Sequence, residues 1–133
     1  MVEDLYVNEG MCRVTWAEPE TTIEIVWEGD VDGERFRESA DAVLSILRET
    51  DASKILVDGR AQGFMDESDQ IWIVEDWEPR AVEAGLESMA LVYPEDLAAR
   101  TTVDMSARRS RDLPLDRVFT DDADEARDWL RVQ

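Results

Sequence analysis

The chain has 133 residues, 44% of them hydrophobic, which is enough for one domain around a single core. It carries 33 acidic residues against 14 basic ones, for a formal charge of -19, and has no histidine. Those facts exclude His-based triads, imidazole acid–base pairs and His metal ligands, and they set the surface against a nucleic-acid backbone. Lys54 is the only lysine. An acidic, arginine-only surface of this kind suits high salt, where self-repulsion is screened, so a halophilic protein is expected. Five tryptophans argue for a packed core rather than disorder. Cys12 stands alone, which rules out an intramolecular disulfide or a thiolate zinc cluster. Apolar runs are too short to enter a bilayer, and Glu3 and Asp4 are wrong for a signal peptide, so a cytoplasmic location is expected.

In chain order, 11–16 alternates weakly and reads as a strand. A turn at Pro19 follows, then 21–27, where Ile23, Ile25 and Trp27 share one side; together they predict an antiparallel hairpin. Asp30 or Asp32 can cap a helix over 32–50, whose stripe is Phe36, Ala40, Val43, Leu44 and Leu47. Lys54-Ile55-Leu56-Val57-Asp58 is apolar without alternation, as befits a central strand covered on both faces. Asp66 or Ser68 can cap the next helix, over 68–84. At Pro79 that helix kinks or a second one starts, and Gly85 ends it. Residues 89–93 form a further buried strand. Residues 95–105 form a short helix or two turns, 106–114 an irregular loop, and 117–119 a last strand. Asp121 caps a final helix with Ala123, Ala126, Trp129 and Leu130 inward. The alternation predicts an α/β fold: a mixed sheet of about five strands, with an N-terminal antiparallel hairpin and then right-handed βαβ units. Residues 1–133 read as a single domain.

The succession Asp58-x-Arg60, Gln70-x-Trp72-Ile73, Trp77-x-Pro79-Arg80-Ala81, Ala84-Gly85-Leu86, Ala90-Leu91-Val92-x-Pro94, Phe119 and Glu125-Ala126-x-x-Trp129-Leu130 resembles the SpoIIAA-like proteins of STAS-type fold. The resemblance covers roughly 20–131. It implies helices packed on a mixed sheet and a non-enzymatic regulatory or protein-interaction role. In the better-known relatives a serine at the start of the helix after the central strand is phosphorylated within an Asp-Ser-Ser-Gly type motif. Here that region reads Asp66-Glu67-Ser68-Asp69. Ser68 occupies the place, but the glycine is missing and a phosphate would sit among acids, so a helix cap is the favoured role.

Asp58 and Arg60 lie where α/β sheets bind ligands, beyond the carboxyl end of a strand. The plainer role is structural, with Asp58 pinning the loop that follows and Arg60 pairing with a carboxylate. Trp72 and Trp77 can line an apolar pocket or simply fill the core, and Arg80 can stack on an indole or pair with Glu75, Asp76 or Glu83. A pocket near Asp58, Arg60, Trp72 and Trp77 is therefore the alternative to protein interaction. Arg108, Arg109 and Arg111 form the one basic cluster, suited to an acidic partner or a second copy, or else paired locally. Glu28-x-Asp30-x-Asp32-Gly33 resembles a calcium loop, but its twelfth position is Ser39 rather than an acid, and no metal is expected. A carboxylate enzyme based on Asp58 or Asp66 is the third and least supported reading. No cofactor is expected. The expected partner is an unknown protein or a second copy in a homodimer.

Overall fold

The computed structural model describes residues 3–31, 33–110 and 112–133. Asn8-Glu9-Gly10 turns the chain between two strands, with Met11 N–H donating to Asn8 O (3.0 Å) and Gly10 at φ 78. The turn joins β1 (Asp4–Asn8) to β2 (Cys12–Ala17), which pairs antiparallel with β3 (Thr22–Gly29). Helix α1 (Gly33–Glu49) then leads to β4 (Lys54–Gln62). Next come α2 (Glu67–Trp72), a π-helical turn (Ile73–Trp77) and α3 (Glu78–Glu83), which together lead to β5 (Ser88–Val92). Helix α4 (Leu97–Arg108) connects to β6 (Asp116–Thr120), and α5 (Ala123–Arg131) closes the chain. Strands β3 to β6 are parallel, and the six strands lie in sequence order. The mixed α/β sheet expected from the sequence is present, with β1 as an additional, sixth strand.

Strand alternation divides the core. On one face Val14, Ile25, Ile55 and Val57 pack with Phe36, Val43 and Leu47 of α1 and with Trp77 and Ala81. We call this the main face. On the other face Leu56, Ala90 and Val92 meet Ala126 and Leu130 of α5. Lys54 belongs to this second face, and its Nζ donates to Leu130 O (3.0 Å) at the end of α5. The chain's single lysine thus completes a helix C-terminus, where a cation is favoured by the dipole.

Local details settle the alternatives left by the sequence. Asp66 caps α2, accepting from Ser68 N–H (3.2 Å). Asp122, rather than Asp121, caps α5. Asp30 does not cap α1; its Oδ1 accepts from Phe64 N–H (3.1 Å). Asp32 lies outside the described residues. The first described N–H of α1, that of Gly33, instead donates to Asp69 Oδ2 (2.9 Å), from α2. At Pro79 the chain neither breaks nor restarts cleanly. Proline has no N–H and crowds the carbonyl four residues back, and the π-helical turn before it absorbs the mismatch, with Glu78 N–H donating to Ile73 O. Gly85, at φ 115, ends α3 with Leu86 N–H on Ala81 O (3.0 Å) and Gly85 N–H on Val82 O (3.1 Å). Helix α4 is a full twelve residues where a short helix or turns were expected, and it takes in 106–108 from the expected loop.

Candidate functional site

Asp58 and Arg60 close the α5 face of β4. The pair is bidentate, with Arg60 Nε 3.0 Å from Oδ1 and Nη2 2.9 Å from Oδ2, and Arg60 N–H also donates to Oδ1 (3.1 Å). The hydrogen bonds from Arg60 hold the Asp58 carboxyl below its ordinary value, against the opposing effect of burial. Beside them Arg127 of α5 reaches Glu24 of β3 (2.7 Å). Gly59 between the pair has a reason of its own: a Cβ there would lie 2.8 Å from Val92 O. All of the carboxylate's hydrogen-bond partners in this pair come from one neighbouring residue, which is the arrangement of a structural clasp.

The two tryptophans lie elsewhere. Val57 faces the main core, so Asp58 and Arg60 point away from Trp77, and the four residues expected to share a pocket do not share one. Trp77 is buried, with Nε1 donating to Ala40 O (2.7 Å) in α1. Trp72 packs edge-on against Phe36 (6.0 Å) and carries Arg37 at 5.1 Å and Arg80 at 5.7 Å over its ring. Arg80 also pairs with Asp76 (3.0 Å) and Asp41 (3.2 Å). Arg37 binds Asp69 (2.8 Å), the same carboxylate that holds the start of α1. Trp72 is therefore a half-buried plate between two paired arginines, while Trp77 lines a cavity to which Trp72 does not contribute.

That cavity lies between the main face and the helices, and it exposes a residue that escaped the sequence reading. Glu78 is 7% exposed and lies 3.4 Å from Arg117 of β6. Its Oε1 has no hydrogen bond, while Arg117 Nη1 donates to Ser110 Oγ. Burial raises the Glu78 pKa, and Arg117 only partly opposes this. A signal was available: Glu78 stands four residues after Val74 and three before Ala81, an acid inside an apolar helical stripe.

Ser68 is exposed, and its Oγ donates to Asp66 Oδ2 (2.7 Å). This hydrogen bond, with the capped N–H, lowers the Asp66 pKa. Of the basic cluster, Arg109 reaches Glu67 of α2 (3.8 Å), Arg108 is exposed in the last turn of α4, and Arg111 lies outside the described residues. Cys12 is buried, and burial pushes its thiol up to about 12, which leaves it without nucleophilic character. Among the described residues no group of His, Cys, Asp or Glu is placed to hold a metal, and no helix is long and apolar enough to cross a membrane.

A second feature unmarked by the sequence is Phe64, in the loop from β4 to α2 and 51% exposed. That loop is stitched to the end of β3 by Gly63 N–H on Gly29 O (2.7 Å), Phe64 N–H on Asp30 and Val31 N–H on Phe64 O (3.1 Å). Gly63 is needed because a Cβ would run into Asp30. The exposed ring is thus carried on a fixed backbone.

An antiparallel ladder followed by three parallel crossovers, with a terminal helix on the opposite face, defines a small mixed-sheet α/β domain of the STAS type. The chain belongs to the SpoIIAA-like family, whose sequence pattern matches residues 22–131. Among solved structures it is similar to the anti-sigma factor antagonist SpoIIAA in its unphosphorylated form. The TM-score is 0.60, over 90% of this chain and 97% of that one, at 16% identity, so the likeness is one of fold. A comparison with curated proteins found no match.

Proposed function

We propose that the chain is one regulatory domain, spanning 1–133, that acts without catalysis by docking a protein partner in the cytoplasm. The docking surface is the end of the sheet where β4 runs into α2. The observation that carries this reading is Phe64, a half-exposed aromatic on a loop stitched to the end of β3. An exposed ring on a backbone already held by hydrogen bonds loses less entropy on binding than one on a free loop, and such aromatic anchors dominate interface energetics. Family membership supports a regulatory role, and the solved relative is itself described as an antagonist of an anti-sigma factor. The carboxylates considered for catalysis are engaged otherwise: Asp58 is clasped by Arg60, and Asp66 caps a helix. Ser68 serves the same cap, and a phosphate there would stand against Asp66 and Glu67.

The test is affinity capture in molar potassium chloride, followed by reconstitution with the purified partner and with the Phe64→Ala variant. Loss of about tenfold or more in affinity with an unchanged melting temperature is expected. Self-association is read from the same samples by light scattering. A monomer that captures nothing, or a partner that binds Phe64→Ala equally well, would contradict the reading.

A further inference from the structure

The cavity on the main face has a volume of about 90 Å³. Its walls are mostly carbon, with Phe36 and Trp77 on the helix side and Ile55 and Val57 on the sheet side. Glu78 lies in the wall, more than nine-tenths buried, with Oε1 lacking any hydrogen-bond donor among the described residues. Its ion-pair partner Arg117 lies 3.4 Å away without a hydrogen bond to it, and Arg117 Nη1 donates to Ser110 Oγ. A buried acceptor left in this state is unfavourable, and a donor delivered from inside the cavity would relieve it.

We propose that this cavity is a binding site for a small neutral molecule with an apolar body and one hydroxyl, the hydroxyl donating to Glu78 Oε1 and the body lying against Trp77 and Phe36. Neutrality follows from the Glu78–Arg117 pair, which already balances its own charge; a further ion in a low-dielectric wall would stand uncompensated. Size follows from volume. An apolar cavity of roughly 150 Å³ admits benzene, with six heavy atoms, so one of about 90 Å³ suits a molecule of about four heavy atoms. The π-helical turn directly before Glu78 fits the reading, since such turns recur at functional sites. The proposal goes beyond protein docking: it uses the interior of the main face, not the Phe64 surface.

Propan-2-ol and acetone are the probes, being nearly equal in size, with only the alcohol able to donate. Binding is followed at pH 8 by NMR on the Trp77 indole N–H resonance, in the intact chain. The alcohol should shift that resonance saturably and bind about fivefold more tightly than the ketone, the value of one modest hydrogen bond. Glu78→Gln, whose amide serves donors and acceptors alike, should remove the preference. Val103→Phe, on the α4 wall, fills the cavity while leaving Glu78 and Arg117 in the sequence, and should abolish binding of both probes. Absence of saturable shifts, equal affinity for the two probes, a preference that survives Glu78→Gln, or binding retained in a folded Val103→Phe would each overturn the proposal.

Discussion

The two faces of one sheet treat their charges in opposite ways. On the α5 face a small apolar cluster, Leu56, Ala90, Val92, Ala126 and Leu130, is bordered by Asp58–Arg60 and Glu24–Arg127, in which carboxylate oxygens meet their partners at 2.7–3.1 Å. On the main face a larger core encloses Glu78, whose contact with Arg117 is 3.4 Å and makes no hydrogen bond. Strand β4 feeds both faces, with Ile55 and Val57 to one side and Leu56 and Asp58 to the other. Proximity of opposite charges is thus a poor guide to role. The well-bonded pair at the strand end is a clasp, while the poorly bonded one inside the core lines a space that a ligand can use.

The broadest expected effect spans both faces. With a charge of -19, the fold should melt at clearly lower temperature in dilute buffer than in molar potassium chloride, as circular dichroism will show. An unchanged melting temperature would remove the halophilic reading. Next in size, Ile55→Ala on the main face and Leu56→Ala on the other should each cost about 2–5 kcal/mol in denaturant unfolding, since both side chains are fully buried. The arginines then separate the faces. Arg117→Ala strands a buried carboxylate and should cost about 3 kcal/mol at neutral pH, whereas Arg60→Ala, at a half-exposed pair, should cost at most about 1 kcal/mol. Equal losses would erase the distinction between clasp and site.

Much of the fold was legible because its signals are local. The stripe from Phe36 to Leu47 and the unbroken apolar run at 55–57 each follow from side-chain periodicity. The full length of helix α4 was less so, because Thr101, Thr102 and Val103 are weak helix formers that left a short helix or turns as the reading. What supports them is partly tertiary: Thr102 Oγ1 donates to Ala99 O (2.7 Å) and accepts from Met65 N–H (3.3 Å). Strand β1 is short and lies at the sheet edge, marked only by the turn at Asn8-Glu9-Gly10. The site was harder to read. Asp58 and Arg60 drew attention as acid and base beside a glycine, yet strand alternation sends them away from Trp77. Glu78 passed as one acid among 33. Its burial depends on β6 bringing Arg117 across from a distant part of the sequence, which no local spacing records.

Unfolding free energy as a function of pH, measured for the native chain, Glu78→Gln and Asp58→Asn, tests the contrast most directly. The Glu78 pKa is raised from 4.5, so the folded state holds that proton more tightly than the unfolded chain. Stability from this group is complete below about pH 4.5 and is lost as pH rises through the folded value. The Asp58 pKa is lowered from 3.8, so its contribution is present above that pH and is lost as pH falls through the folded value. The native chain should therefore lose ground to Glu78→Gln as pH rises from 4.5, and lose its advantage over Asp58→Asn as pH falls below about 4. Opposite slopes are the expected result; parallel profiles for the two variants would contradict it.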